Sequence, residues 1–120
     1  MASPTALFWD YENVPLPASV RAADASKAIL DALAPLGIRI VDRKVYYDAA
    51  AGGPGEELCL NGFSLVHTPR RGQKESVDKK MIVDMLGFAW ERSVSERDGI
   101  KPCVVLITGD GDYAYAMNKL

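Results

Sequence analysis

Histidine and cysteine, the side chains that most often hold zinc or carry redox chemistry, are scarce here, with one histidine and two cysteines in 120 residues. Cys59 and Cys103 fall in apolar surroundings with neither CxxC spacing nor a histidine partner, which argues against a zinc or dithiol site and predicts two buried thiols. No apolar run approaches the roughly 20 residues needed to cross a bilayer. The opening Met-Ala-Ser-Pro-Thr also lacks the basic and apolar regions of a signal peptide. An intracellular, by default cytoplasmic, protein with no membrane partner is therefore expected. An excess of basic charge is missing too: 14 Lys and Arg against 16 Asp and Glu leave a formal charge of −2, so nucleic acid is not coated by bulk charge. Internal repeats and low-complexity segments are absent. What remains is an ordinary globular composition, 48% hydrophobic and 25% charged, over a length that suits one domain spanning residues 1–120.

The apolar and turn-forming residues alternate as strand and helix along the chain. Residues 5–9 read as a first strand, followed by a stiff loop, Asn13-Val14-Pro15-Leu16-Pro17. Ser19 is placed to cap a helix running to about Leu33, with Val20, Ala23, Lys27, Leu30 and Leu33 at helical spacing and Pro35 and Gly37 closing it. Residues 38–47, rich in β-branched and aromatic side chains, predict a second strand ending at Asp48. A short helix over 56–60 and a third strand over 63–67 follow the Ala- and Gly-rich stretch 49–55. The strongest helix runs from Ser76 to about Arg92. Its wheel gathers Met81, Ile82, Met85, Leu86, Phe88 and Ala89 on one face, with Lys80, Asp84 and Glu91 opposite. Val104-Val105-Leu106-Ile107, bounded by Pro102 and Gly109, reads as a buried parallel strand, and residues 113–120 as the start of another helix. This order implies a three-layer α/β/α fold around a mainly parallel sheet with right-handed crossovers.

Two of these strands run directly into carboxylates. Ala6-Leu7-Phe8-Trp9 leads to Asp10, and Val104-Val105-Leu106-Ile107 leads through Thr108-Gly109 to Asp110 and Asp112. Ligands of open α/β sheets bind just beyond the carboxyl ends of strands, so these acids are expected at the lip of a site. Clustered carboxylates are tolerated where a cation or a shared proton compensates them. Asp78 lies within the apolar face of the strongest helix, either as a first-turn acid favoured by the helix dipole or as a ligand aimed into the site. An acid-rich, histidine-poor set suits Mg²⁺ or Mn²⁺ rather than zinc. Two such ions can activate a water and stabilise the leaving oxygen of a phosphodiester. Arg70, Arg71 and Lys74, just before the acid-bearing helix, either hold a neighbouring phosphate or form a solvated basic loop.

Three blocks together carry a resemblance: Phe8-Trp9-Asp10-Tyr11-Glu12-Asn13 with Val14-Pro15; Lys74-Glu75-Ser76-Val77-Asp78 opening a helix; and Thr108-Gly109-Asp110-Gly111-Asp112-Tyr113. They resemble, in order, the signature blocks of the NYN domain, a family of the PIN-like nucleases. The "WD-x-EN-x-P" form of the first block is similar to the NYN domain of the meiosis regulator and mRNA stability factor. The resemblance implies a PIN-like fold and a metal-dependent endoribonuclease acting on single-stranded RNA. Matched position by position, it assigns Asp10, Asp78, Asp110 and Asp112 to catalysis and to Mg²⁺ or Mn²⁺. Asn13, Glu12 and Asp84 become additional site candidates, although Asp84 has a simpler account in an ion pair with Lys80, and Asn13 in an Asx-turn ahead of Pro15. The family pattern continues with another strand and helix, whereas this chain stops at Leu120. Either the domain is C-terminally truncated, or a partner completes the sheet. A homodimer, or other RNA-binding modules of a larger protein, are the protein partners this allows.

Other readings stay open at this level. Asp110-Gly111-Asp112 alone has the composition of a turn. Trp9, Tyr11 and Tyr113 suit either base stacking or the core, and His67 the end of a strand. An RNA-binding or scaffold module with a vestigial site is one rival. A haloacid-dehalogenase-like phosphatase with Asp10 as a covalent nucleophile is another, though its Thr or Ser strand-end motif followed by a Lys is not found convincingly.

Overall fold

The computed structural model describes residues 3–48, 54–68, 76–95 and 100–108, with side chains except at 76–78 and 94–95. Four strands, β1 (Ser3–Asp10), β2 (Ile38–Tyr47), β3 (Ser64–His67) and β4 (Cys103–Ile107), form one sheet in the order β3-β2-β1-β4. Every pairing is parallel. Helices α1 (Ala22–Leu33), α2 (Glu56–Leu60) and α3 (Ser76–Ser95) connect them. The expected α/β fold with a parallel sheet is therefore present.

β1 is buried from Pro4 to Asp10 because it has a strand on each side and helices on both faces, the environment that makes a strand apolar throughout. Its side chains alternate between two cores. Ala6 and Phe8 join Tyr46 of β2 under Met81 and Met85 of α3. Leu7 and Trp9 join Val45, Phe63, Ala22 of α1 and Leu58 of α2 on the opposite face. The cores thus divide the molecule into three layers, α3 against one face of the sheet and α1 with α2 against the other.

Boundaries differ from expectation where tertiary contacts decide them. α1 starts at Ala22, with Arg21 rather than Ser19 at its N-cap position and no side-chain cap. A turn in which Val20 N–H donates to the Pro17 carbonyl at 3.0 Å takes up the preceding residues. Its buried residues are Ala22 and Ser26, with Ile29 packed beside them, whereas Val20, Ala23 and Lys27 are exposed. Small side chains on that stripe let the helix lie close to the sheet. The closing signal at Pro35 and Gly37 holds: a 3₁₀ turn over Ala34–Leu36 ends at Gly37, whose φ of 67° is left-handed.

On α3, Met81 and Met85 are buried and Ile82 and Phe88 pack beside them as expected, but Leu86 turns outward with Val83 and Trp90. The prediction of two buried thiols is corrected as well. Cys59 is exposed and Cys103 only partly covered, because α2 is a single turn that buries Leu58 and leaves its neighbour outside.

Candidate metal centre at the carboxyl edge of the sheet

The strand order contains a reversal. From β1 the chain moves outward through β2 to β3 with its connecting helices on one face, then crosses back under α3 to β4 on the other side of β1. The chain therefore leaves β1 toward one face and approaches β4 from the other, so the strand order reverses between β1 and β4, and ligands of open α/β sheets bind in the crevice beyond the carboxyl ends of strands at such a reversal. Asp10 closes β1 at that crevice, and Thr108 follows β4. Since β3 and β4 are parallel, the helix joining them must run back along the sheet, which starts α3, and Asp78 in its first turn, at the same edge.

Asp10 is 1% exposed and held on several sides. Its carbonyl accepts the Val14 N–H at 3.1 Å, and the Trp9 indole N–H donates to the Val14 carbonyl at 2.7 Å, so the turn after β1 is tied back on itself. Tyr11 N–H continues the ladder to the Tyr46 carbonyl at 3.1 Å. Within the turn, the Asn13 amide donates to Asp10 Oδ2, and the Thr108 hydroxyl reaches the same oxygen at 3.2 Å from β4. Oδ1 is buried with no hydrogen-bond partner among the described residues.

That orphaned oxygen is the physical anomaly of the edge. A buried polar atom without a partner costs about 1–3 kcal/mol, and more on a charged group. A hard divalent cation supplies what the oxygen lacks, and the surrounding Asp, Asn and Thr offer only oxygen ligands, the set that Mg²⁺ and Mn²⁺ prefer. The residues present fit such an ion. Among the described residues no group of three acidic, histidine or cysteine side chains gathers in metal-binding geometry. Asp110 and Asp112 lie outside the described residues, as do Arg70, Arg71, Lys74 and Tyr113, and Asp78 is described by its backbone alone.

The Asn13 side-chain amide donates to Asp10 Oδ2, a contact that is not the expected Asx-turn ahead of Pro15 and that brings Asn13 beside the candidate ligand. Glu12 is partly buried in the same turn, with one carboxylate oxygen shielded from solvent. Asp84 stands about 9 Å further along α3 than Asp78, where the Tyr46 hydroxyl donates to its Oδ2 at 2.6 Å and Lys80 pairs with Oδ1 at 3.4 Å. The expected pair with Lys80 is there, and the tyrosine bond adds a tie from α3 to β2. Burial, and then the Asp84 carboxylate, hold the Tyr46 phenol far above its ordinary range. Trp9 is 3% exposed and belongs to the core, which leaves it unavailable for base stacking. The edge carries one further acid. Asp48, directly after β2, is 8% exposed and 3.7 Å from His67 at the end of β3. Its signal was the same as that of Asp10, a carboxylate where an apolar strand stops.

Fold and edge together define a doubly wound, parallel α/β domain whose switch point carries a buried, cation-suited aspartate. The model of the NYN domain matches residues 4–120, and the chain belongs to that family. The family places it in the PIN-like nuclease superfamily, whose members are in general ribonucleases, and sets aside the phosphatase alternative. A comparison with curated proteins finds no match. No helix among the described residues is long and apolar enough to cross a membrane.

Proposed function

We propose that this chain is a divalent-metal-dependent endoribonuclease that cleaves single-stranded RNA, and that residues 1–120 act as one NYN domain. The observation that carries the reading is the Asp10 carboxylate at the β1/β4 switch point, with Oδ2 fixed by Asn13 and Thr108 and Oδ1 buried without a donor among the described residues. Asp10 would hold a Mg²⁺ or Mn²⁺ ion together with Asp78, Asp110 and Asp112, and Asp48 adds a further acid at the same edge. Bound ions of this kind activate a water and stabilise the leaving oxygen, which yields a 5′-phosphate and a 3′-hydroxyl. Within the chain, Asn13 and Thr108 orient Asp10, while Arg70, Arg71 and Lys74 hold the phosphate backbone beside the cut. Similarity of the first block to the NYN domain of the meiosis regulator and mRNA stability factor supports action as one part of a larger protein that carries other RNA-binding modules.

The test is incubation of labelled single-stranded RNA with the protein in Mn²⁺, Mg²⁺ or EDTA, beside an Asp110→Asn control. Cleavage that requires metal and vanishes in the variant is the expected result. RNA retained without cleavage in any metal would favour a binding or scaffold module instead.

A further inference from the structure

Beside the acidic edge, the last rung of the β2–β3 ladder is a pair of rings. Tyr47 and His67 are register partners, their ring centroids are 5.5 Å apart and their planes tilt by 31°. The ladder closes just past them, where Thr68 N–H donates to the Tyr47 carbonyl at 2.7 Å. β3 is the outer strand of the sheet at this side among the described strands, and the His67 side chain is 47% exposed. An aromatic cross-strand pair in mid-sheet would need no explanation beyond strand pairing. This one stands at the end of the sheet, on its ligand-binding edge, with half of the outer ring's surface open.

A buried carboxylate lies next to the outer ring. His67 Nε2 is 3.7 Å from Asp48 Oδ1, and Asp48 itself is 8% exposed. The imidazole is thus held between a phenol ring and a carboxylate, which limits its rotation and reduces the entropy lost when something packs on it. Its position is also defined relative to the proposed site. Asp10 pairs with Tyr46, one residue before Tyr47, so His67 stands one rung further out and two strand spacings away, about 10 Å, on the face of the sheet that carries Trp9 and Val45 rather than the face of Tyr46. An RNA strand that crosses over the carboxyl edge of the sheet passes both.

We propose that the Tyr47 and His67 rings, steadied by Asp48, form a stacking platform for one base of the single-stranded RNA whose backbone passes Asp10. Unstacked bases are recognised on Tyr and His faces in this way, with little demand on base identity. The inference rests on the ribonuclease reading and extends it from the scissile phosphate to a neighbouring nucleotide.

Binding is measured by fluorescence anisotropy of a short labelled single-stranded RNA in EDTA, where cleavage is silent. Parent protein is compared with His67→Ala, His67→Phe and Tyr47→Leu, and with the same RNA carrying a single abasic site moved along its length. His67→Ala should weaken binding roughly five- to hundredfold, and His67→Phe should recover most of it because an aromatic ring face returns. The abasic site that weakens the parent most should have little further effect on His67→Ala, since both remove the same contact. The salt slope should stay that of the parent, as no phosphate contact is lost. Binding by His67→Ala equal to the parent overturns the platform, as does a Phe variant as weak as Ala. A parent that binds no RNA, either in EDTA or with Mn²⁺ restored, overturns the ribonuclease reading along with it. Thermal melts of each variant separate a lost contact from a lost fold.

Discussion

Replacing Asp10 by Asn tests the metal centre without relying on catalysis. In the metal-free protein the Asp10 carboxylate is 1% exposed, and among the described residues two donors converge on Oδ2 and none reaches Oδ1. The amide is nearly isosteric, and its carbonyl can accept from Asn13 and Thr108 while the amino group takes the place of Oδ1. A neutral group there is cheaper to bury than a charged one, so the metal-free variant should be as stable as the parent or more stable by up to about 2 kcal/mol. For a domain of this size that is a rise in Tm of up to roughly 8 °C. Metal should reverse the ranking. An ion that binds only the folded state adds about 2.7 kcal/mol at a hundredfold excess over its Kd, a rise on the order of 10 °C in the parent. In Asp10→Asn most of that rise should disappear. The assay is a pair of circular dichroism melts, with EDTA and with Mn²⁺, on both proteins. A variant that melts several degrees below the parent in EDTA, or gains as much from Mn²⁺, would refute the assignment of Oδ1 to a cation.

Tyr46→Phe removes the hydroxyl that donates to Asp84 and should lower stability by about 1–2 kcal/mol, read as a shift in denaturant midpoint without a change in slope. The raised Tyr46 pKa also predicts a pH dependence. The unfolded phenol ionises near its ordinary value of about 10 and the folded one well above it, so the stabilisation is complete below about pH 10 and erodes as the pH rises further. Alkaline melts should show a smaller loss in Tyr46→Phe than in the parent. Changing Arg70 and Arg71 to Ala should weaken RNA binding and flatten its salt dependence by about 0.7 per phosphate contact removed. An unchanged slope would take both arginines out of the interface.

Much of the architecture was readable from local pattern. The second strand over Ile38–Tyr47 and the single helical turn over Glu56–Leu60 have the bounds that composition predicted, because β-branched and aromatic runs between turn residues leave few alternatives. Pro35 and Gly37 likewise announced the end of α1 through backbone constraints that operate without tertiary help. The start and the buried stripe of α1 were not readable. Val20, Ala23, Leu30 and Ala22, Ser26, Ile29 are two arcs of one mildly apolar helix, and only docking on the sheet selects the second. The outward turn of Leu86 and the exposure of Cys59 have the same origin, since an apolar residue is buried only if another element covers it.

At the site, the sequence by itself determined the residue types: an acid after each of two apolar strands, a third at the start of a helix, and too few histidines and cysteines for zinc. Those are properties of the chain that survive any fold consistent with its pattern. Only the tertiary structure decided that Asp10 faces the crevice between β1 and β4, that Thr108, ninety-eight residues away, shares its oxygen, and that Asp84 is tied to Tyr46. The same strand register brought Asp48 and His67 to one edge. Hydrophobic periodicity fixes which face a side chain occupies, but strand order fixes its neighbours, and strand order is set by long-range packing that no local window of sequence contains.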